Sequence, residues 1–393
     1  MQDNGIRHIV IVDPGVVIEQ AGMYYLPERS YLGYKKYKQY LDGYHQDFTF
    51  SVVALGGVQV AGESGDVASL FPFTSDQIGL KKYPARKYLE ALDKSAVVLV
   101  LYKQETADFV NLGHKVVYLV ENPPSVRKAI YAIEAAGKIS YISRIRVNIG
   151  LWRQELAARR VFRRAVGLQC NGEAASATYG KYSNNSLTFY DHRVESVHDD
   201  SHQTKSPLNK FSVGFSGRIV PIKGSQYMAE LSHELYRLDP SITFYVMGDG
   251  TDRQKVLDKA APNLVYKGFM GYSSEWEPFV QKNIDLMVFP HPQGDPSMTY
   301  YEALGQGLPV VAFANETSDF LQSQGLAWTV PSGDVKELAR RINELAHNPG
   351  EVKAKARAAR DFMRKNLYHD TVARRMEHLV SVARTSYGAE RLR

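Results

Sequence analysis

Cysteine is almost missing: Cys170 is the one cysteine in 393 residues. An internal disulfide is therefore excluded, and the chain suits a reducing compartment. Long apolar runs are missing too. The N-terminal run 9–12 is broken by Asp13 and is too short for a signal-peptide core, and no stretch reaches membrane-spanning length. A cytoplasmic protein is expected. Excess charge is small, with 48 Lys and Arg against 42 Asp and Glu for a net +6. That balance does not call for nucleic acid, but leaves anionic substrates and anionic membrane surfaces open as partners. Repeats of solenoid length and low-complexity segments are also absent. What remains is an ordinary composition, 44% hydrophobic and 23% charged, in a chain long enough for two domains with separate cores.

Short β-rich apolar runs alternate with helical patterns at 8–13, 48–55, 96–102, 116–120, 168–170 and 187–190. The rhythm repeats at 213–216, 242–247, 264–266, 286–289, 310–313 and 327–330. Strands separated by helices imply two parallel α/β layers, hence two domains with a cleft between them. The polar stretch 196–210 reads as the linker, with the boundary near residue 207. Helical patterns follow at 334–346, 351–366 and 371–385. In open α/β sheets ligands bind beyond the carboxyl ends of strands, which selects the loops at Gly15, Glu121–Asn122 and Gly248–Gly250. Gly15 would let backbone approach a ligand, with a plain glycine turn as the alternative, and the loop at Gly248 similarly permits close approach.

Residues 215–224, Phe-Ser-Gly-Arg-Ile-Val-Pro-Ile-Lys-Gly, close a strand with two cations at the mouth of a helix. Gly217 permits a tight exit, and Arg218 and Lys223 add full charges to the free N–H groups and positive dipole of a helix start, which suits a pair of phosphates. Two solvated cations on a common strand–helix turn are the alternative. The second segment, 286–313, reads as strand, loop, helix and strand. Pro296 and Ser297 mark the helix entrance, with the amides of Ser297, Met298 and Thr299 facing an anion, and Gly307 and Pro309 mark its end. Glu302 then lies inside the helix, one or two turns from the anion, where it could accept hydrogen bonds from a ribose diol; a surface glutamate is the plain alternative. His291 follows the strand directly and borders the same site.

In this order and separation, with Met-Gly-Asp-Gly at 247–250, Lys-Gly-Phe at 267–269 and Glu-Ala then Gly-Leu-Pro-Val-Val at 302–311 between and after them, the segments resemble the C-terminal domain of glycosyltransferase family 4, retaining enzymes of the GT-B fold. The resemblance covers roughly 211–370 and is looser before residue 200. It implies two Rossmann-like domains, an acceptor-side one at 1–207 and a nucleotide-sugar-binding one at 208–370, with a last helix in 371–393 returning to the first domain. It further implies that Arg218 and Lys223 bind the donor diphosphate, Glu302 the donor ribose, and the backbone at Phe269 the base. No metal or cofactor is required by that scheme. The expected reaction is transfer of a sugar from a nucleotide diphosphate sugar to a glycan or lipid-linked acceptor, in polysaccharide, lipopolysaccharide or glycolipid assembly. A non-hydrolysing sugar-nucleotide epimerase and a non-catalytic sugar-nucleotide-binding subunit are the competing readings.

The family's acidic pair, with seven residues between its members, would place its first acid on Gly294; Asp295 is one place off. Asp295 either fills that role through a shortened loop or caps the helix. Near residue 121 the family often has a histidine, and Glu121 or Asn122 stands there instead, so Glu121 is read as a cleft residue. Tyr31, Tyr34, Tyr37 and Tyr40 recur every three residues, as core or as a sugar-stacking face. Arginines at 144, 146, 153, 159, 160, 163 and 164, interleaved with apolar residues, read as a basic amphipathic surface for an anionic bilayer or as a solvated helix face. His198, Asp199, Asp200 and His202 crowd the linker and read as solvated loop rather than a metal site.

Overall fold

The structure is a computed structural model that describes residues 7–60, 70–135, 141–197 and 210–385. Two parallel sheets dominate it. The N-terminal sheet has seven strands in the order Ser186–Phe189, Gly167–Asn171, Lys115–Val120, Val97–Leu101, Arg7–Asp13, Phe48–Ala54 and Leu80–Lys81. The C-terminal sheet has six, in the order Leu264–Gly268, Thr243–Met247, Ser212–Ser216, Leu286–Phe289, Val310–Phe313 and Ala327–Val330. Their central strands are apolar on both faces, as strands sandwiched between helices must be: Val213, Phe215, Leu286, Met287, Val288 and Phe289 are all fully buried. In each sheet the first strand sits between a chain-adjacent neighbour and one reached by a crossover, and that reversal opens a crevice at the strand ends. In the C-terminal sheet the reversal lies between Ser212–Ser216 and Leu286–Phe289, so the loops carrying Arg218 and Asp295 leave side by side.

A small third sheet was not apparent in the sequence. Val17–Gln20 pairs with Met23–Leu26 through a two-residue turn at Ala21 and Gly22, both with positive φ, and Val58–Val60 and Phe71–Phe73 flank them. Its strands have only three or four residues, too few for alternation to stand out. The stretch 13–22, expected as a single loop after the first strand, is thus partly a hairpin.

The tyrosines of the helix Glu28–Tyr44 divide their work. Tyr31 and Tyr37 are in the N-terminal core with Leu41, whereas the hydroxyls of Tyr34 and Tyr40 donate to Asp13 at 2.7 Å and Glu377 at 2.8 Å. Glu377 belongs to the last helix, Tyr368–Arg384, which returns to the first domain and buries Val372, Met376, Leu379 and Val380 in its core. Lys115 donates to the carbonyls of Val382, Ala383 and Thr385 at the end of that helix, where the dipole is negative. Cys170 lies buried in its strand, and burial pushes its thiol up to about 12, so it is an inert packing residue.

The boundary expected near 207 lies outside the described residues, and upstream of it the chain already packs on the second domain. Val194 is already part of the C-terminal core, Tyr190 stacks on Tyr301, and the carbonyl of Val194 accepts from the N–H of Tyr368 at 2.8 Å. The outgoing and returning chains therefore run together. Polarity alone suggested a later crossing, because 190–197 alternates charged residues with the few apolar ones that pack.

Candidate active site

A cavity of about 270 Å³ lies at the reversal in the C-terminal sheet and is lined by Gly217, Arg218, Gly248, Phe269, Thr299 and Glu302, among others. These six of the expected donor residues share the cavity, whereas Lys223, Asp295, Gly15, His291, Ser297 and Met298 do not line it. Gly248 is glycine for a local reason: its φ is +130°, and a β-carbon there would collide with the carbonyl of Gly217. The close approach that the sequence suggested is made by the chain's own backbone. Arg218 is exposed at the cavity wall. Phe269 is 81% exposed at the far end, a free aromatic face beside the backbone that follows Gly268. Ser297 precedes the helix Met298–Gly305 as its cap residue, and its hydroxyl lies 3.0 Å from that of Thr299; Met298 is half-buried beside them.

Two ion pairs occupy this site. Lys223 is buried, and its Nζ donates to both carboxylate oxygens of Asp295, at 2.9 and 2.7 Å. Burial lowers the pKa of the Lys223 ammonium, while Asp295 opposes that fall. Asp295 is therefore a counter-ion of the lysine, a role that neither capping nor a sugar contact anticipated. Glu302 is also buried, and its Oε1 accepts from Nε of Arg193 at 2.7 Å. Burial pushes the Glu302 carboxyl up against the pull of Arg193. The Arg193 guanidinium lies 4.0 Å from the centroid of Tyr272, which in turn stacks on Trp276. Arg193, Tyr272 and Glu316, whose carboxylate lies against Gly294, are the residues missed by reading the sequence. Arg193 directly follows the last strand of the first sheet by a few positions, so the strand-end rule could have flagged it.

Gly294 cannot carry an acid in this backbone. A β-carbon there would fall on the carboxylate of Glu316 and 2.9 Å from its backbone nitrogen. Glu316 opens the helix Glu316–Ser323, capped by Asn315, and its carboxylate occupies the space that a side chain at 294 would need. His291 lies under the site rather than bordering it. It is 1% exposed and packs against Phe215, Phe289 and Tyr300, and burial with Lys223 nearby holds its pKa well below the usual histidine range.

Across the cleft a larger cavity of about 660 Å³ opens in the first domain. Its floor is apolar, from Ile11, Val12, Leu99, Leu101 and Leu119, and its rim is ionic, with Arg29 paired to Asp191 and Lys36 to Glu195. Pro14 lines it; Gly15 itself is exposed on the loop and donates its N–H to Asp13 at 2.8 Å. Glu121 faces both this cavity and a crevice formed with Gly294, Pro296 and Glu316. Burial raises its carboxyl pKa, with Asp191 adding to the rise, and Asn171 donates to it at 3.3 Å. Arg193 and Tyr272 line both large cavities, so their side chains stand between the two. The linker cluster His198, Asp199, Asp200 and His202 lies outside the described residues; among the described residues no group of three His, Cys, Asp or Glu could hold a metal ion.

Residues 210–348 match the family model of glycosyl transferases group 1. A curated relative, the 2-deoxystreptamine glucosyltransferase of Streptomyces kanamyceticus, is 27% identical over 157 residues, 38% of this chain and 40% of the relative. Among solved structures, Anabaena Alr3699/HepE in complex with UDP superimposes with a TM-score of 0.62 at 14% identity, covering 95% of this chain and 99% of that one. WaaG, a glycosyltransferase involved in lipopolysaccharide biosynthesis, gives 0.59 at 12% identity over 94% and 99%. The chain thus has the GT-B fold, and its C-terminal domain is similar over residues 210–348 to the glycosyl transferases group 1.

Proposed function

We propose that this protein transfers a sugar from a nucleoside diphosphate sugar to an acceptor hydroxyl, with retention at the anomeric carbon. The convergence of Arg218 and Glu302 on one cavity, walled off from a second cavity by Arg193, is the observation that carries the reading. Breaking the anomeric C–O bond leaves negative charge on the diphosphate. Fixed cations and the amides at the start of the helix Met298–Gly305 stabilise that charge more in the transition state than in the ground state. Arg218 and Lys223 supply this stabilisation without calling on a metal. The acceptor oxygen bonds to the anomeric carbon on the face the diphosphate leaves, and its proton passes to the departing phosphate oxygen. Glu121, held protonated more readily by burial, meets the acceptor hydroxyl from the other cavity.

Donor entry requires both ion pairs to open. The ribose diol takes the place of Arg193 on Glu302, and the diphosphate draws Lys223 from Asp295, which is then free to contact the donor sugar. Once Arg193 withdraws, the partition between the two cavities is gone and the acceptor meets the donor. HepE has been solved with UDP, so UDP-sugars are the first donors to try. A screen of nucleotide sugars for thermal stabilisation should pick out the donor by mass action. Glu302→Gln should then weaken nucleotides that carry a ribose diol far more than inorganic diphosphate, and equal loss for both would place Glu302 elsewhere.

A further inference from the structure

The helix Tyr141–Arg164 is built unlike any other in the first domain. Its second half is anchored: Glu155, Ala158 and Phe162 are buried. Its first half is not. From residue 145 to 154 no side chain is fully buried, a length of roughly 15 Å at the α-helical rise. On that half Ile145, Ile149 and Trp152 are 44%, 52% and 62% exposed. Their spacing of four and then three residues puts all of them on one stripe, roughly 120° around the axis from the core-facing side. Arg146, Arg153 and Arg160, also exposed, recur every seven residues and form a band beside the stripe. The helix carries a single acid, Glu155, and it is buried between Arg127 and Arg159 at 2.5 and 2.7 Å. The helix itself therefore sets no acid on its exposed face against the arginines. The side chain of Arg144 lies outside the described residues.

We propose that this face docks the protein on an anionic lipid bilayer, with Ile145, Ile149 and Trp152 entering the headgroup boundary and Arg146, Arg153 and Arg160 meeting lipid phosphates. An apolar stripe beside a cationic band is the pattern of a helix lying in a membrane interface. Tryptophan favours that boundary, and arginine buries its stem there while its guanidinium stays with the phosphates. Charge complementarity selects a bilayer of anionic lipid over a neutral one, because each surface cation adds attraction that salt screens. The assignment is independent of the sugar-transfer reading.

The test is co-sedimentation of the full chain with phosphatidylcholine vesicles, with and without phosphatidylglycerol. Binding is expected to the mixed vesicles only and to weaken as salt is raised. Trp276 and Trp328 are buried, so a blue shift of tryptophan fluorescence on binding reports Trp152. Arg146→Glu with Arg153→Glu should lower partitioning at least about thirtyfold, given about a factor of five for each basic residue near the surface. Ile149→Ser with Trp152→Ser should lower it as well. Both pairs are exposed, so both variants should melt with the wild type. Failure of the wild type to bind anionic vesicles overturns the proposal, as does wild-type partitioning by both variants. Self-association that the Ile149 and Trp152 changes abolish, without vesicle binding, would give the face to a second copy of the chain and overturn it equally.

Discussion

Lys223 and Asp295 hold each other, and in the proposed reaction a diphosphate comes between them. Asp295→Asn removes the competing charge, so nucleoside diphosphate binding near neutral pH should tighten, by up to about tenfold for one charge-assisted contact. The same change leaves a buried ammonium without its counter-ion. Burial already lowers the pKa of Lys223, and losing Asp295 lowers it further, so the gain should vanish as pH rises and the lysine discharges. Calorimetric titrations across alkaline pH check this, and affinity unchanged at every pH would leave the pair without a part in binding. That Arg218 and Glu302 share a cavity was legible in the sequence because each follows a strand end at a helix. Their partners were not. Lys223 and Asp295 are 72 positions apart, and Arg193 and Glu302 are 109 apart; no local pattern joins such residues, only the sheet order that brings their loops together.

The loop between Leu286–Phe289 and Met298–Gly305 shows how an element's backbone limits its chemistry. Gly294 sits against the first turn of the helix Glu316–Ser323, and the hydroxyl of Thr317 donates to its carbonyl at 2.9 Å. Gly294→Ala should therefore cost about 1 to 3 kcal/mol, as overpacking does. Glu316→Ala in the same chain should recover only part of that loss, since the backbone nitrogen of Glu316 stays near the new β-carbon. Denaturant midpoints for the two single variants and the double variant measure the coupling, and a neutral Gly294→Ala would show that the loop yields. The long parallel strands were legible as β-branched apolar runs because they are buried on both faces. The small sheet at 17–26, 58–60 and 71–73 was not, because strands this short owe their form to hairpin geometry and neighbours rather than to periodicity.

At the scale of the molecule, two domains are joined by paired chain crossings, and His192 is buried between them with its Nδ1 accepting from the N–H of Val194 at 3.2 Å. Burial lowers its pKa to about 4, and burial with nearby cations does the same for His8. The unfolded chain, with histidines near 6.5, binds protons that the folded chain refuses. Stability is thus full above pH 6.5 and falls as pH drops towards 4, by on the order of 3 kcal/mol for His192 alone. Melting at pH 7 and pH 5 should show a shallower acid loss for His192→Gln than for the wild type, even if the variant starts lower. Equal slopes would remove His192 as the cause. The two-domain plan was legible from the repeated strand rhythm, but the crossing point was not, since Val194 packs from within a charged stretch. The claim on which the proposed function depends is that the cleft of the second domain binds the diphosphate of a nucleotide. Calorimetric titration of UDP, ADP and GDP into the wild type and Arg218→Ala tests it most directly, because Arg218 is exposed and its loss should leave the melting temperature unchanged. At least one nucleotide should bind the wild type, and Arg218→Ala should bind it about tenfold to a hundredfold more weakly; no binding by any of the three, or equal binding by the variant, would contradict the account.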